Sequence, residues 1–308
     1  MIALLDKPRR MISDALFMRA IRRHRSRLGW RDAPRYSTYW EKCRVSAQLP
    51  ADPDPEAVRA AQVFQRDGVT SLWNEETGAI ARTITERIKA REAAGETVWN
   101  ENPNKTGASQ YGGNVWLDFP ELEDVFRGIL GDFLQLYFGS PYKIWFALLY
   151  RSEHRNDQRM GSQRWHSDSG PGSCVNVMYY LDETEPCHGP LEVLPWEQCL
   201  KLFASEERVH GGTSADQYDR FGALYDHYER EIKRSFKSEV RQPMGPEGLL
   251  VPFLNNTIHR GGYPHEGHRR TAMVFHCYPA DRPVPFALYR EAGVVKRGSY
   301  PMDPAEPF

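Results

Sequence analysis

The chain has 308 residues, with 40 Lys/Arg against 41 Asp/Glu (net charge −1), 40% hydrophobic and 12% aromatic residues. That length holds one large β-rich domain or two small ones with a real core, and the balanced charge gives no overall pull toward nucleic acid or an anionic membrane. Five cysteines without a CxxC pair (Cys43, Cys174, Cys187, Cys199, Cys277), Asp6 and Lys7 close behind the first apolar residues, and no apolar run of about 18 residues read most simply as a reduced, cytoplasmic protein without signal peptide or transmembrane segment.

Residues 1–35 are the compositional exception. They carry ten Lys/Arg and three Asp, hence +7, which leaves −8 for the remainder. Phe17, Ala20, Ile21, His24 and Leu28 share one helical face, with Arg19, Arg22, Arg23 and Arg25 around it. Residues 1–50 are therefore expected as a basic helical extension, packed on the rest of the chain or on a second subunit. Weak contact with membrane phosphates, or with a nucleic acid, is the alternative. Asp52-Pro53-Asp54-Pro55 marks the junction with a domain over 51–308.

A short helix is expected over 56–66, with Ala57, Ala60, Ala61 and Phe64 on one side, then a glycine, Gly68, leading into a strand. A long amphipathic helix over about 75–94 carries Ile80, Ile84 and Ile88. Residues 100–114 read as a polar, glycine-rich loop, 120–138 as a helix ending at Gly139, and 142–150 as an apolar strand. Further strands fall at 174–181, 189–195, 248–259 and 271–275. The charged segment 196–247 reads as a helical insertion, with Phe221, Leu224, Tyr225, Tyr228 and Ile232 as its apolar face.

The chemistry concentrates in Arg164-Trp165-His166-Ser167-Asp168, Asn255-Asn256-Thr257-Ile258-His259 and Arg270. Residues two apart on a strand share a face, so His166 and Asp168 can offer a nitrogen and an oxygen to one ion. His259 is the best-placed third ligand. Two histidines and one carboxylate form the facial triad of non-haem Fe(II) sites. A hairpin turning at Pro264-His265 would set His259 opposite Arg270 and place a guanidinium fork, suited to a carboxylate, beside the metal. Arg269 would then point to the other face. His154, His188, His265, His268 and His276 read as surface or hydrogen-bonded histidines, and the cysteines as structural.

In this order the motifs become recognisable. Phe64-Gln65-Arg66-Asp67-Gly68-Val69, Trp165-His166-Ser167-Asp168, Leu181-Asp182-Glu183, His188-Gly189-Pro190-Leu191-Glu192-Val193-Leu194-Pro195, His259-Arg260-Gly261-Gly262 and Arg270-Thr271-Ala272 follow one another from Phe64 to Pro279. This series resembles the phytanoyl-CoA dioxygenase family of Fe(II)/2-oxoglutarate-dependent oxygenases. The resemblance implies a mainly β domain with flanking helices, built on a double-stranded β-helix (jelly roll). It implies Fe(II) held by His166, Asp168 and His259, 2-oxoglutarate anchored by Arg270, and O2 as co-reactant. The implied reaction hydroxylates an unactivated C–H bond of a small-molecule substrate and releases succinate and CO2.

The chain departs from the family pattern at three places. Gly261 stands where a serine often helps hold 2-oxoglutarate, Trp196-Glu197-Gln198 replaces a Gly-Ser-His, and Met178 falls where some relatives carry a tryptophan. Relatives that halogenate usually have Gly or Ala at the position of Asp168, so hydroxylation is favoured. On the strand 175–180, Asn176, Met178 and Tyr180 are expected to face the pocket, with Asn176 and Met178 against the cosubstrate and Val175, Val177 and Tyr179 on the other side. The competing readings are a non-catalytic jelly-roll binding protein and a Zn- or Mn-dependent protein that does not use 2-oxoglutarate; neither has a need for Arg270.

Overall fold

The computed structural model describes residues 40–44, 50–96, 98–102, 107–155, 159–168, 174–209 and 225–292. The basic stretch 1–35 and the positions Phe221 and Leu224 lie outside the described residues. Of the expected N-terminal extension, Trp40 and Cys43 are buried, and Trp40 Nε1 donates to the Phe138 carbonyl at 2.7 Å. That piece of the segment packs on the domain.

Helix α1 (Pro55–Asp67) begins where Asp54 accepts the Glu56 amide and Pro55 supplies a preset φ. It buries Ala57, Ala60, Ala61 and Phe64, the face expected from their spacing. Gly68 ends the helix at φ 70°, and a Cβ there would press within 3.2 Å of Leu254, Thr257 and Trp196 side chains. Glycine is thus needed both for the turn and for the close approach. The next residues form no full strand, only single bridges from Val69 to Phe253 and from Leu72 to Leu250. Helix α2 (Glu75–Ala93) starts in a reciprocal cap between Asn74 and Thr77 and buries Ile80, Ile84 and Ile88.

Two expectations change in the next stretch. Part of the region read as a loop is a hairpin, β1 (Trp99–Glu101) against β2 (Ala108–Tyr111). Trp99 and Tyr111 face each other across it with ring centroids 6.2 Å apart, an apolar pair outweighed in the sequence by the surrounding glycines and asparagines. The helix expected over 120–138 is interrupted. It comprises α4 (Leu122–Arg127) and α5 (Ile129–Phe138), with the break at Gly128, and a short helix, α3 (Val115–Asp118), precedes it.

Strands β3 (Tyr142–Glu153), β4 (Val175–Tyr180), β6 (Leu250–Leu254) and β8 (Arg269–Pro279) join β1 and β2 in one antiparallel sheet of order β1-β2-β3-β8-β4-β6. A smaller sheet pairs β5 (Glu192–Val193) with β7 (His259–Arg260). Single bridges extend it on both sides, from His259 to His166 and from Val193 to Arg241. The sequence between these strands holds α6 (Trp196–Val209) and α7 (Tyr225–Glu231), and its far end returns to sheet pairing at Arg241 and Gly245. A last helix, α8 (Phe286–Ala292), closes the described chain.

Alternation along the strands sorts the core into two layers. Val175, Val177 and Tyr179 pack with Met273 and Phe275 against the helices, through Phe64, Ile84, Phe126 and Phe133. Met178 and Tyr180 pack with Tyr150, Val251 and Phe253 toward Leu191 and, in the smaller sheet, Val193. The expected hairpin between His259 and Arg270 is not formed. Residues 255–257 turn the chain out of β6 and into the other sheet, so β7 pairs with β5, and Arg270 lies opposite Ser152 of β3. A strand read as continuous from 248 to 259 is in fact two strands in two sheets. The turn is sealed by Thr257, whose amide and hydroxyl both donate to the Leu254 carbonyl (3.0 and 2.7 Å).

Candidate active site

His166 and His259 face each other across an antiparallel bridge in which each amide donates to the other's carbonyl at 2.9 Å. Residues 166–168 are extended but form only this bridge; the Asp168 amide donates to the Asn255 carbonyl at 3.0 Å. The alternation of an extended chain therefore acts as expected, turning His166 and Asp168 to one side. The imidazole rings of His166 and His259 are 4.4 Å apart, and Asp168 reaches them with Oδ1 3.5 Å from His166 Nε2 and Oδ2 3.8 Å from His259 Nε2. One ligand atom from each of the three lies within 4.8 Å of the others, close enough for a single ion.

The tautomers follow from hydrogen bonds behind the rings. His166 Nδ1 is 2.7 Å from the Arg164 carbonyl and His259 Nδ1 is 3.0 Å from the Thr257 carbonyl. A carbonyl oxygen only accepts, so both Nδ1 atoms carry the proton and both Nε2 lone pairs are free for a metal. Burial, reinforced by the neighbouring His166, lowers the His259 pKa to about 4, which keeps it neutral at physiological pH. Burial alone would raise the Asp168 carboxyl. The imidazoles of His166 and His259, when protonated in the metal-free protein, outweigh it and hold the group below the ordinary carboxylate range. Asn176 fixes the carboxylate from behind, donating from Nδ2 to Asp168 Oδ2 at 2.9 Å.

Arg270 is 1% exposed, whereas Arg269 is exposed. Its Nε and Nη1 are buried and have no hydrogen-bond partner in the protein. Its Cζ stands 5.9 Å from the Tyr150 ring, and a Cβ built on Gly261 would lie 3.8 Å from Nη2. Gly261 thus borders this arginine. The start of β8 is pinned by Asp182, which accepts the Thr271 amide at 2.9 Å.

Met178 lies on the same inner face, where the Tyr150 hydroxyl meets its sulfur at 3.0 Å. Tyr180 is fully buried, and its hydroxyl accepts the Leu191 amide at 2.9 Å; burial pushes its pKa up to about 12. Asn176 was expected against the cosubstrate, and its structural contact is with Asp168. Sequence reasoning missed Tyr150, His276 and Phe253. Tyr150 pairs with Ala272 and so shares the face of Arg270; His276 pairs with Asn176; the Phe253 ring lies 4.8 Å from His259. Strand alternation carried the signal for all three, but only once the pairing of β3, β6 and β8 was known.

No protein-family model matches the chain. Among characterised proteins, the L-proline trans-4-hydroxylase of Streptomyces griseoviridis is 25% identical over 256 residues, covering 79% of this chain and 94% of the relative. Among solved structures, the non-heme alpha ketoglutarate dependent carbocyclase SnoK from nogalamycin biosynthesis aligns with a TM-score of 0.51 at 14% identity, covering 83% of this chain and 97% of that one. EctD from S. alaskensis with 2-oxoglutarate and 5-hydroxyectoine aligns with a TM-score of 0.50 at 15% identity, covering 86% and 92%. Among the described residues no helix is long and apolar enough to cross a membrane. The chain has a mainly β core with flanking helices, the fold it shares with those two proteins.

Proposed function

We propose that this protein is a non-haem Fe(II)- and 2-oxoglutarate-dependent dioxygenase that hydroxylates an unactivated C–H bond of a small molecule, releasing succinate and CO2. The observation that carries the reading is Arg270, a buried guanidinium with two unpartnered nitrogens, Nε and Nη1. A cation left without partners in the interior is costly, and its planar fork matches a carboxylate. An anion held there beside a His-Asp-His donor set distinguishes this protein from a jelly-roll binder or a Zn- or Mn-dependent protein.

The residues fit both groups. His166 and His259 would hold iron through Nε2 and Asp168 through a carboxylate oxygen, while Arg270 would pair with the far carboxylate of 2-oxoglutarate. Iron and 2-oxoglutarate, when bound, supply the activation of dioxygen that breaking a C–H bond requires. The protein's part is positional. The carbonyls of Arg164 and Thr257 aim the imidazoles, Asn176 steadies Asp168, and Tyr150, Met178, Val193 and Phe253 form an apolar wall that keeps water away from the anion site.

The order of motifs from Phe64 to Arg270 supports placement near the phytanoyl-CoA dioxygenases. The likeness to a proline hydroxylase over most of the chain supports a free amino acid, with proline first among them, as substrate. The test is succinate release by the full-length protein with Fe(II), 2-oxoglutarate and each of a panel of L-amino acids, with product identified by mass spectrometry. Turnover coupled one-to-one to a product heavier by one oxygen is expected for at least one member. Succinate release that no amino acid raises above the substrate-free rate would overturn the substrate class.

A further inference from the structure

A second group of metal-ligating side chains gathers away from the candidate active site. Cys187 and His188 sit on the single helical turn Pro186–His188, and His268 on the turn that precedes β8. One ligand atom from each lies within 4.8 Å of the other two. The residues are 80 positions apart in sequence (268 − 188), so neither spacing nor any motif announces the cluster. Their two loops are locked together by main chain. Gly189, at φ 66°, lies so close to the Tyr263–Pro264 backbone that a Cβ would overlap it. The His265 amide donates to the Cys187 carbonyl at 2.8 Å, and the His268 amide to the His265 carbonyl at 3.0 Å. The donors are thus brought together by backbone contacts rather than by chance meetings of long side chains.

The donor set has a definite chemistry. Cys187 is partly exposed, unlike the other four cysteines, which are buried. The Glu185 carboxylate comes within 3.8 Å of its sulfur, and the rings of His188 and His268 are 5.3 Å apart, inclined at 68°. His188 Nδ1 accepts the Glu185 amide at 3.1 Å, so its lone pair is on that nitrogen. One thiolate and two imidazoles, with solvent in the fourth position, match the tetrahedral preference of a borderline-soft divalent ion.

We propose that Cys187, His188 and His268 form a second metal site selective for zinc-like ions and independent of the iron site. Binding releases the Cys187 thiol proton to solvent and exchanges the hydrogen bond at His188 Nδ1 for a bond to the metal. The ion ties the segment 261–268, which joins His259 to Arg270, to the turn leading into β5. It therefore braces the chain between the distal metal ligand and the anion-binding arginine. This proposal does not rest on the dioxygenase reading.

The experiment is a Co(II) titration of the metal-free, full-length protein carrying His166→Ala and Asp168→Ala, which removes the first site. Thiolate-to-cobalt charge-transfer absorption with intense tetrahedral visible bands is expected, saturating at one equivalent and reversed by one equivalent of Zn(II). Cys187→Ser added to this background should abolish the charge-transfer absorption. His268→Ala, at an exposed position that leaves folding intact, should weaken Co(II) binding at least about tenfold, since even groups behind a ligand carry that much. Absence of thiolate absorption, its persistence in Cys187→Ser, or unchanged affinity in His268→Ala overturns the proposal.

Discussion

The two halves of the candidate active site are finished in opposite ways. Behind His166, Asp168 and His259, the groups that orient the ligands are already paired: two backbone carbonyls take the Nδ1 protons and Asn176 takes a carboxylate oxygen. Behind Arg270 the protein supplies no such partner for Nε and Nη1. The first half is built to point lone pairs in fixed directions, which is what a metal needs. The second stores an uncompensated charge, which only a bound anion relieves. A folded chain retains such a charge where a ligand repays it.

Substitutions separate the halves, and the largest effect belongs to the first. His166→Ala or Asp168→Ala should reduce succinate formation to background while circular dichroism shows the fold intact. Activity near wild type in either variant would break the assignment of the metal centre. Next comes Arg270→Ala, which removes one partner of a desolvated charge pair, a loss of ~2–5 kcal/mol. Binding of 2-oxoglutarate should weaken by ~30-fold or more, measured by calorimetry, and the exposed Arg269→Ala should leave it unchanged.

The difference sharpens at the level of neighbouring residues on one strand. Asn176→Val keeps the fold but frees Asp168, so Fe(II) affinity should fall by ~10–100-fold. Val177→Thr puts a hydroxyl into the helix-facing core, where Val177 is fully buried. It should cost ~1–3 kcal/mol in a denaturant titration, with the Michaelis constant for 2-oxoglutarate unmoved. A kinetic response at 177 and none at 176 would reverse the faces of β4.

A smaller effect follows from His259. Its folded-state pKa of about 4 lies below the value of 6.5 it would have free, so between those values the unfolded chain binds more protons. This contribution to the stability of metal-free protein is present above about pH 6.5 and lost as the pH falls toward 4. His259→Gln should flatten that part of a plot of denaturation midpoint against pH.

Much of this architecture was legible because period-two alternation survives ignorance of the pairing. Asn176, Met178 and Tyr180 part from Val175, Val177 and Tyr179 whatever strands lie beside them. The same holds for Arg270 against Arg269. What failed was partner choice. Asn255-Asn256-Thr257 lies between two apolar runs and was absorbed into one long strand, although asparagine pairs favour turns. Arg270 reaches the inner face opposite Ser152, by a route that the sequence does not display. Tyr150 and His276 stayed hidden for the same reason, since they become neighbours of the site only through pairing across a hundred residues or more. The Cys187, His188 and His268 cluster is the extreme case, because two loops assemble it.

The central claim is that one ion and one dicarboxylic acid share this pocket, the ion on the finished half and the acid on the unfinished one. Anaerobic titration of the metal-free protein with Fe(II), with and without 2-oxoglutarate, tests it most directly. A weak visible metal-to-ligand charge-transfer band should appear only when both are present, vanish in Asp168→Ala, and require far more 2-oxoglutarate in Arg270→Ala. Iron binding without that band, or the same 2-oxoglutarate dependence in wild type and Arg270→Ala, would contradict the account.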